Sequence, residues 1–244
     1  MAATRNSHHH STTSEIGQDK GTPLHRLGYS RISAGSWLDI AEIQPLFDSV
    51  PNDGYVPEGF RYKSLSRVTV RDGLIRRGRH EPLFQTATYN PVHGDIEREY
   101  APIAAPLFEA LRDAICLFAT GARLRENDEI LVQAQRVTAT AGFGGNQGLP
   151  AVEGFHQDAV GLVGILVVNR HHIDGGMTLL SREQNTEHAV FAAQLEPGDL
   201  LLIDDQRLFH YTTPIYSAEP DRIGFRDVVL FGWPSARLEY EGHS

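Results

Sequence analysis

The sequence predicts an α+β chain that is mainly β, with helices in its N-terminal half supporting an antiparallel sandwich or barrel formed by its C-terminal half. Three observations carry that expectation. Strand-like runs follow one another after residue 128, separated by Gly-, Pro- or Asp-rich turns with no helix between them, the pattern of an antiparallel sandwich or barrel. A clear helical period precedes them. Neither an internal repeat nor a dividing linker is present, and 244 residues is a length that one β-rich domain can reach.

In chain order, residues 1–22 are polar, poor in aromatics and aperiodic, so they are read as a disordered tail ahead of one domain at 23–244. His8, His9 and His10 lie in that tail, where a flexible chain holds no defined metal geometry. Ser36 can cap a short helix over 36–43 that runs towards Pro45. SLSRVTV at 64–70 alternates and is β-branched, so it reads as a strand. Leu107, Leu111, Ile115 and Phe118 recur at three- and four-residue steps and predict a helix over 104–119, with Cys116 as a small buried thiol. Helical support thus occupies about 23–125 and the β core about 126–235. Strands of that core are expected at 129–139, 161–169, 177–181, 188–195, 199–205 and 225–233, with turns such as Asp174-Gly-Gly and Glu196-Pro-Gly-Asp between them.

Composition narrows the function classes. Lys and Arg number 22 against 31 Asp and Glu, a formal charge of −9, which argues against a protein that grips a phosphate backbone. No apolar run reaches the ~18–20 residues of a membrane span, and the N-terminus lacks an apolar signal core, so no membrane contact and a cytoplasmic location are expected. Cys116 is the only cysteine, which leaves no disulfide framework and no Cys-based zinc or iron–sulfur site. The 12 His residues are therefore the place to look for chemistry.

His-x-Asp occurs at His156-Gln-Asp158 and at His172-Ile-Asp174. Residues i and i+2 of a strand share a face, so His156 and Asp158 can converge on one ion at the entrance to the apolar run GLVGILVV. Asp174 instead abuts Gly175-Gly176 and reads as a turn-former, with His171 and His172 in a surface loop. A third ligand should come from a neighbouring strand. His210, in LFHYTTP, is the candidate, although spacing alone equally allows a satisfied core or rim histidine. Two His and one carboxylate leave positions open on an octahedral metal, which suits non-haem Fe(II) rather than a soft metal. Arg226, in GFRDVVLF, can clamp a carboxylate through two parallel hydrogen bonds or simply pair with an acid such as Asp227. Arg222 is the fallback clamp, in a turn where exposure is expected.

The segment Pro150-Ala-Val-Glu153-Gly154-Phe155-His156-Gln-Asp158 resembles the iron-binding signature of the 2-oxoglutarate-dependent dioxygenases related to bacterial L-isoleucine dioxygenase. Gly175-Gly176, Leu202-Ile-Asp204, His210 with Thr213-Pro214, Arg226-Asp227-Val, and upstream Asn90, Gly94, Arg98 and VQAQRVTA at 132–139 extend the resemblance over roughly residues 60–232. It implies a double-stranded β-helix, the cupin-like jelly roll. It also implies His156, Asp158 and His210 as Fe(II) ligands and Arg226 as partner of the 2-oxoglutarate distal carboxylate. Two departures stand out: Ala159-Val160 follows the metal Asp where the family often has Gly, and Val152 stands where the family tends to have Pro.

The activity implied is hydroxylation of an unactivated C–H bond of a free L-amino acid, with aliphatic ones as the leading candidates, and with 2-oxoglutarate and O2 converted to succinate and CO2. Glu153 is a candidate for gripping the substrate ammonium or orienting the ligands, against the alternative of a solvated loop acid. Arg136 is a candidate for the substrate carboxylate, against the alternative of facing solvent. Rival readings keep the same chemistry on a peptide- or carrier-bound amino acid or natural-product intermediate, or discard turnover in favour of a metal-binding cupin-type sensor. His25, His80, His93, His171, His172, His188 and His243 receive no role.

Overall fold

The computed structural model describes residues 22–234 apart from 57, 89–91, 93, 141–146 and 220. His8, His9, His10, Asn90, His93 and His243 lie outside the described residues. Of the tail read as 1–22, Thr22 is described, and it caps the first helix by accepting from the His25 N–H.

The chain opens with α1 (Pro23–Leu27) and β1 (Tyr29–Ser33), then α2 (Ile40–Ile43) and a 3₁₀ helix (Gln44–Ser49). The hairpin β2 (Arg61–Arg71) and β3 (Leu74–Arg77) follows, then the short pair β4 (Leu83–Gln85) and β5 (Ile96–Arg98) and the helices α3 (Ala105–Ala110) and α4 (Arg112–Gly121). From there the chain is β: β6 (Glu129–Ala139), β7 (Leu162–His171), β8 (Ile173–Gly175), β9 (Met177–Ser181) and β10 (Ala189–Gln194). The last strands are β11 (Asp199–Asp204), β12 (Phe209–Thr212), β13 (Ile215–Ser217) and β14 (Gly224–Trp233). A seven-stranded antiparallel sheet has the order β1-β11-β7-β14-β6-β2-β3, and β10-β9-β12 and β13-β8 make the smaller sheets. This is the mainly β, jelly-roll architecture expected, with the six core strands close to their predicted bounds.

The N-terminal half departs from pure helical support. It supplies β1 to one edge of the large sheet, through pairs such as Tyr29↔Ile203, and β2 and β3 to the other. The helix expected over 36–43 begins only at Ile40, capped by the Asp39 carboxylate on the Glu42 N–H, and Pro45, lacking an N–H, hands it over to the 3₁₀ turn. The helix predicted over 104–119 breaks at Leu111, whose ψ near 0 ends α3 and starts α4. Its apolar stripe survives the break: Leu107, Leu111, Ile115 and Phe118 are all buried. Cys116 is half-buried rather than buried, and burial still pushes its thiol pKa up, away from reactivity. Asp174 is not the turn-former. It pairs with Tyr216 in β8, where Gly175 also pairs with Ile215, and the left-handed positions around it are His172 at φ +47, Gly175 at +78 and Gly176 at +68.

Alternation on the large sheet sorts its two faces. Val68, Ile130, Val132, Ala134, Leu166, Val168, Val229 and Phe231 pack against α3 and α4. Val163, Ile165, Val167 and Val228 point the other way, towards Leu180 of β9. Gly164 lets α4 approach: a Cβ there would stand 2.7 Å from the Phe118 ring, which stacks on Phe231 at 4.8 Å. The helices therefore close one face, and the other is free to line a cavity.

Candidate active site

Neighbouring strands carry the cavity wall in rows. Register aligns Arg61 of β2, Val137 of β6 and Arg226 of β14 in one row, then Lys63, Gln135 and Val228, then Leu65, Gln133 and Leu230. Strand alternation puts these rows on one face. Arg61, Lys63, Gln133, Gln135, Arg226, Val228 and Leu230 all line one cavity together with Glu153, His156, Asp158 and His210.

His156 and His210 are locked together by a two-way backbone bridge, with N···O distances of 3.1 and 2.9 Å. Their ring centroids lie 4.2 Å apart. Asp158 Oδ2 stands 3.7 Å from His210 Nε2, and the three side chains offer ligand atoms within 4.8 Å of one another. His156 Nδ1 is 2.8 Å from the Gly154 carbonyl, which can accept its proton and leave the Nε2 lone pair for a metal. Burial, then the adjacent His210, lowers the His156 pKa and favours the neutral, ligating imidazole. For His210, burial pulls its pKa down but the Asp205 and Asp158 carboxylates outweigh it and leave it raised. The two sequence partners meet as expected, although His156 and Asp158 sit on a loop with one bridge rather than in a regular strand.

Asp205 was invisible in the sequence as a site residue. Its buried carboxylate accepts from the N–H groups of Asp158 and Val160, each at 3.1 Å, and stands 3.5 Å from His210 Nδ1. It thus holds the loop that carries one ligand and faces the ring that carries another. This loop also contains Ala159, where the resembling family often has Gly, at φ +58. Its left-handed backbone explains that preference, since a Cβ is disfavoured there by about 1–2 kcal/mol. Asp205→Asn is expected to weaken iron binding by about 10- to 100-fold, because an amide NH2 cannot accept from one of the two N–H groups. Anaerobic iron titration checks this, and unchanged affinity would remove Asp205 from the site's support.

Arg226 is 3% exposed, and its Nε and one terminal nitrogen have no hydrogen-bond partner among the described residues. Burial, then neighbouring Arg170, pushes its pKa down to about 9, so it remains a cation at neutral pH. Asp227 does not pair with it. That carboxylate belongs to Arg136, at 2.6 and 3.0 Å, and Arg136 also holds Asp48 at 2.7 Å. Arg136, between Gln135 and Val137, projects from the opposite sheet face and does not reach the cavity. Arg222 is exposed, paired with Glu219 at 3.1 Å and outside the cavity lining. Glu153 does line it.

Sequence reasoning also missed the far wall. Arg61 pairs with buried Asp53 at 2.7 Å. Gln85 accepts from Arg98 and donates to Asp158 Oδ1 at 3.5 Å, linking the wall to the metal-type cluster. The alternation Arg61-x-Lys63 was the available signal, but it needed the register to be read.

A family model described as 2OG-Fe dioxygenase matches residues 44–232. The chain belongs to the 2OG-Fe dioxygenase family. It is thus a 2-oxoglutarate-dependent dioxygenase acting on a small-molecule substrate, with Fe(II), 2-oxoglutarate and O2 as the reactants its family requires. Among solved structures, a BsmA homologue from Methylobium petroleophilum is 22% identical with a TM-score of 0.72, the match covering 87% of this chain and 90% of that one. IDO from Bacillus thuringiensis is 18% identical at a TM-score of 0.66, covering 88% and 93%. The Fe(II)/α-ketoglutarate-dependent dioxygenase TqaL is 14% identical at 0.58, covering 86% and 83%. These likenesses establish the shared fold. No curated protein matches the chain. Among the described residues no helix is long and apolar enough to cross a membrane.

The residues fit the family's reactants. Two imidazoles and a carboxylate with no thiolate suit a hard, open-sided Fe(II) site, and the unpartnered donors of buried Arg226 suit a carboxylate.

Proposed function

We propose that this dioxygenase hydroxylates an unactivated C–H bond of a small free L-amino acid. In this reading His156, Asp158 and His210 hold the iron and Arg226 receives the distal carboxylate of 2-oxoglutarate. The observation that carries it is one cavity joining the His-Asp-His cluster, a buried guanidinium with free donors and an acid, Glu153. The sequence resemblance to L-isoleucine dioxygenases supports the substrate class.

When bound, the iron with 2-oxoglutarate and O2 supplies the oxidising power, and succinate and CO2 are the by-products. The protein's part is positional. The Gly154 carbonyl fixes the His156 ring, and Asp205 holds the loop bearing Asp158. Arg226 orients the cosubstrate from the cavity wall. Val163, Ile165, Val228 and Leu230 offer an apolar wall to an alkyl chain and exclude water from the reacting carbon. Glu153 takes the substrate ammonium. A dedicated buried guanidinium favours turnover over a metal-binding sensor, which has no need of a cosubstrate clamp.

The test is to incubate anaerobically iron-loaded protein with 2-oxoglutarate and the L-amino acids, admit oxygen, and measure succinate and substrate mass. At least one amino acid is expected to raise succinate above the substrate-free background and gain one oxygen. Succinate at background with every free amino acid would overturn the reading. Turnover only of peptide- or carrier-bound forms would move the chemistry to them.

A further inference from the structure

The cavity holds more positive charge than one cosubstrate explains. Arg61 is paired with Asp53, whereas neither Lys63 nor Arg98 forms an ion pair among the described residues. Arg98 is 2% exposed. Its only hydrogen-bonded side-chain partner among the described residues is the neutral Gln85 amide, and its Nε has none. Lys63 is 8% exposed, forms no ion pair among the described residues, and packs its ammonium 5.2 Å from the Tyr100 ring centre. A buried cation without a counter-charge is costly unless a ligand supplies one.

We propose that Lys63 and Arg98 form a second anion cradle, separate from Arg226, that receives the carboxylate of the substrate. Its position sets it apart from the cosubstrate clamp. Lys63 is on β2 and Arg226 on β14, with β6 between them, a backbone separation of about 10 Å, and the row of Arg226 holds Arg61 and not Lys63. Its position also suits catalysis. Gln85 touches Arg98 on one side and Asp158 on the other, so an acid seated on Arg98 lies one side-chain amide from the metal cluster. The rest of the substrate then extends over the cluster. Burial, then Arg61 and Arg98, pushes the Lys63 pKa down to about 7 against the opposing pull of Asp53 and Asp158, so a bound anion would favour its charged form. The inference deepens the amino-acid reading: carboxylate on Lys63 and Arg98, ammonium on Glu153. It replaces Arg136, whose guanidinium is already paired with two carboxylates, Asp227 and Asp48.

The experiment uses the full chain, loaded anaerobically with Fe(II) and 2-oxoglutarate, and calorimetric titration of three probe sets. These are the L-amino acids, their α-carboxamides, and the matching carboxylic acids without the amino group. At least one acid should bind, with its amide weaker by about 100-fold. Arg98→Gln and Lys63→Met should each weaken that acid by about 100-fold while leaving 2-oxoglutarate affinity within about two-fold. Lys63→Met should also raise the melting temperature of the unloaded protein, because an uncompensated cation is removed. If only acids lacking the amino group bind, the cradle stands and the amino-acid reading falls. The cradle is overturned if amides bind as well as acids or if no acid binds. It is equally overturned if Arg98→Gln weakens 2-oxoglutarate as much as the acid, or if both variants lower the melting temperature with no selective loss of acid.

Discussion

His210→Ala is expected to lose iron binding by more than the about 100-fold typical of removing an outer partner, and turnover with it. His210 is buried on β12, bridged through its backbone to His156 and facing both Asp158 and Asp205. Removing the ring leaves one imidazole and one carboxylate, too few protein ligands to hold a divalent ion against water. The backbone bridge does not depend on the side chain, so the strand should keep its register. Anaerobic iron titration, read beside a melting curve, checks this. Full iron affinity and turnover in the variant would show that the assigned triad is wrong.

The second large effect is at Arg226. Arg226→Met should raise the 2-oxoglutarate requirement by about 2–5 kcal/mol, or roughly 30- to 5000-fold, with iron affinity unchanged. Buried charge makes the contrast sharper. Without cosubstrate, Arg226 is a cation beside Arg170 with no ion-pair partner among the described residues, so its apolar replacement should raise the melting temperature of the free protein. The stabilisation that added 2-oxoglutarate gives the wild type should disappear. Equal losses for iron and 2-oxoglutarate would point to a damaged fold and not to a lost clamp.

The two mutations probe residues of different legibility. His156-Gln-Asp158 was readable because both ligands lie within three residues and precede an apolar strand. His210 and Arg226 were nominated by spacing and by resemblance, and the fold brings both to the cavity. Arg136 and the far wall were not readable. Arg136 and Arg226 are both arginines on β strands, and nothing local distinguishes the one that faces Asp227 from the one that faces the cavity. The distinction is one of parity: β6 and β14 pair Arg136 with Asp227 and Val137 with Arg226, which puts the two guanidinium groups on opposite faces. Asp205 was hidden for a related reason. It follows Asp204 in sequence, but it reaches loop 158–160 across a gap of 45 or more residues.

By itself the sequence determined the mainly β character, the six core strands, the buried stripe of Leu107, Leu111, Ile115 and Phe118, and the family's metal-type motif. Each rests on a period or a spacing that a few consecutive residues carry. Only the tertiary structure decided that N-terminal strands complete both edges of the sheet and that the helix breaks at Leu111. It alone showed which cations are already paired and which stand open: Arg61 and Arg136 hold carboxylates, while Lys63, Arg98 and Arg226 hold none among the described residues. Charge compensation is a contact between residues far apart in the chain, so it exists only once strand register has brought them together or kept them apart.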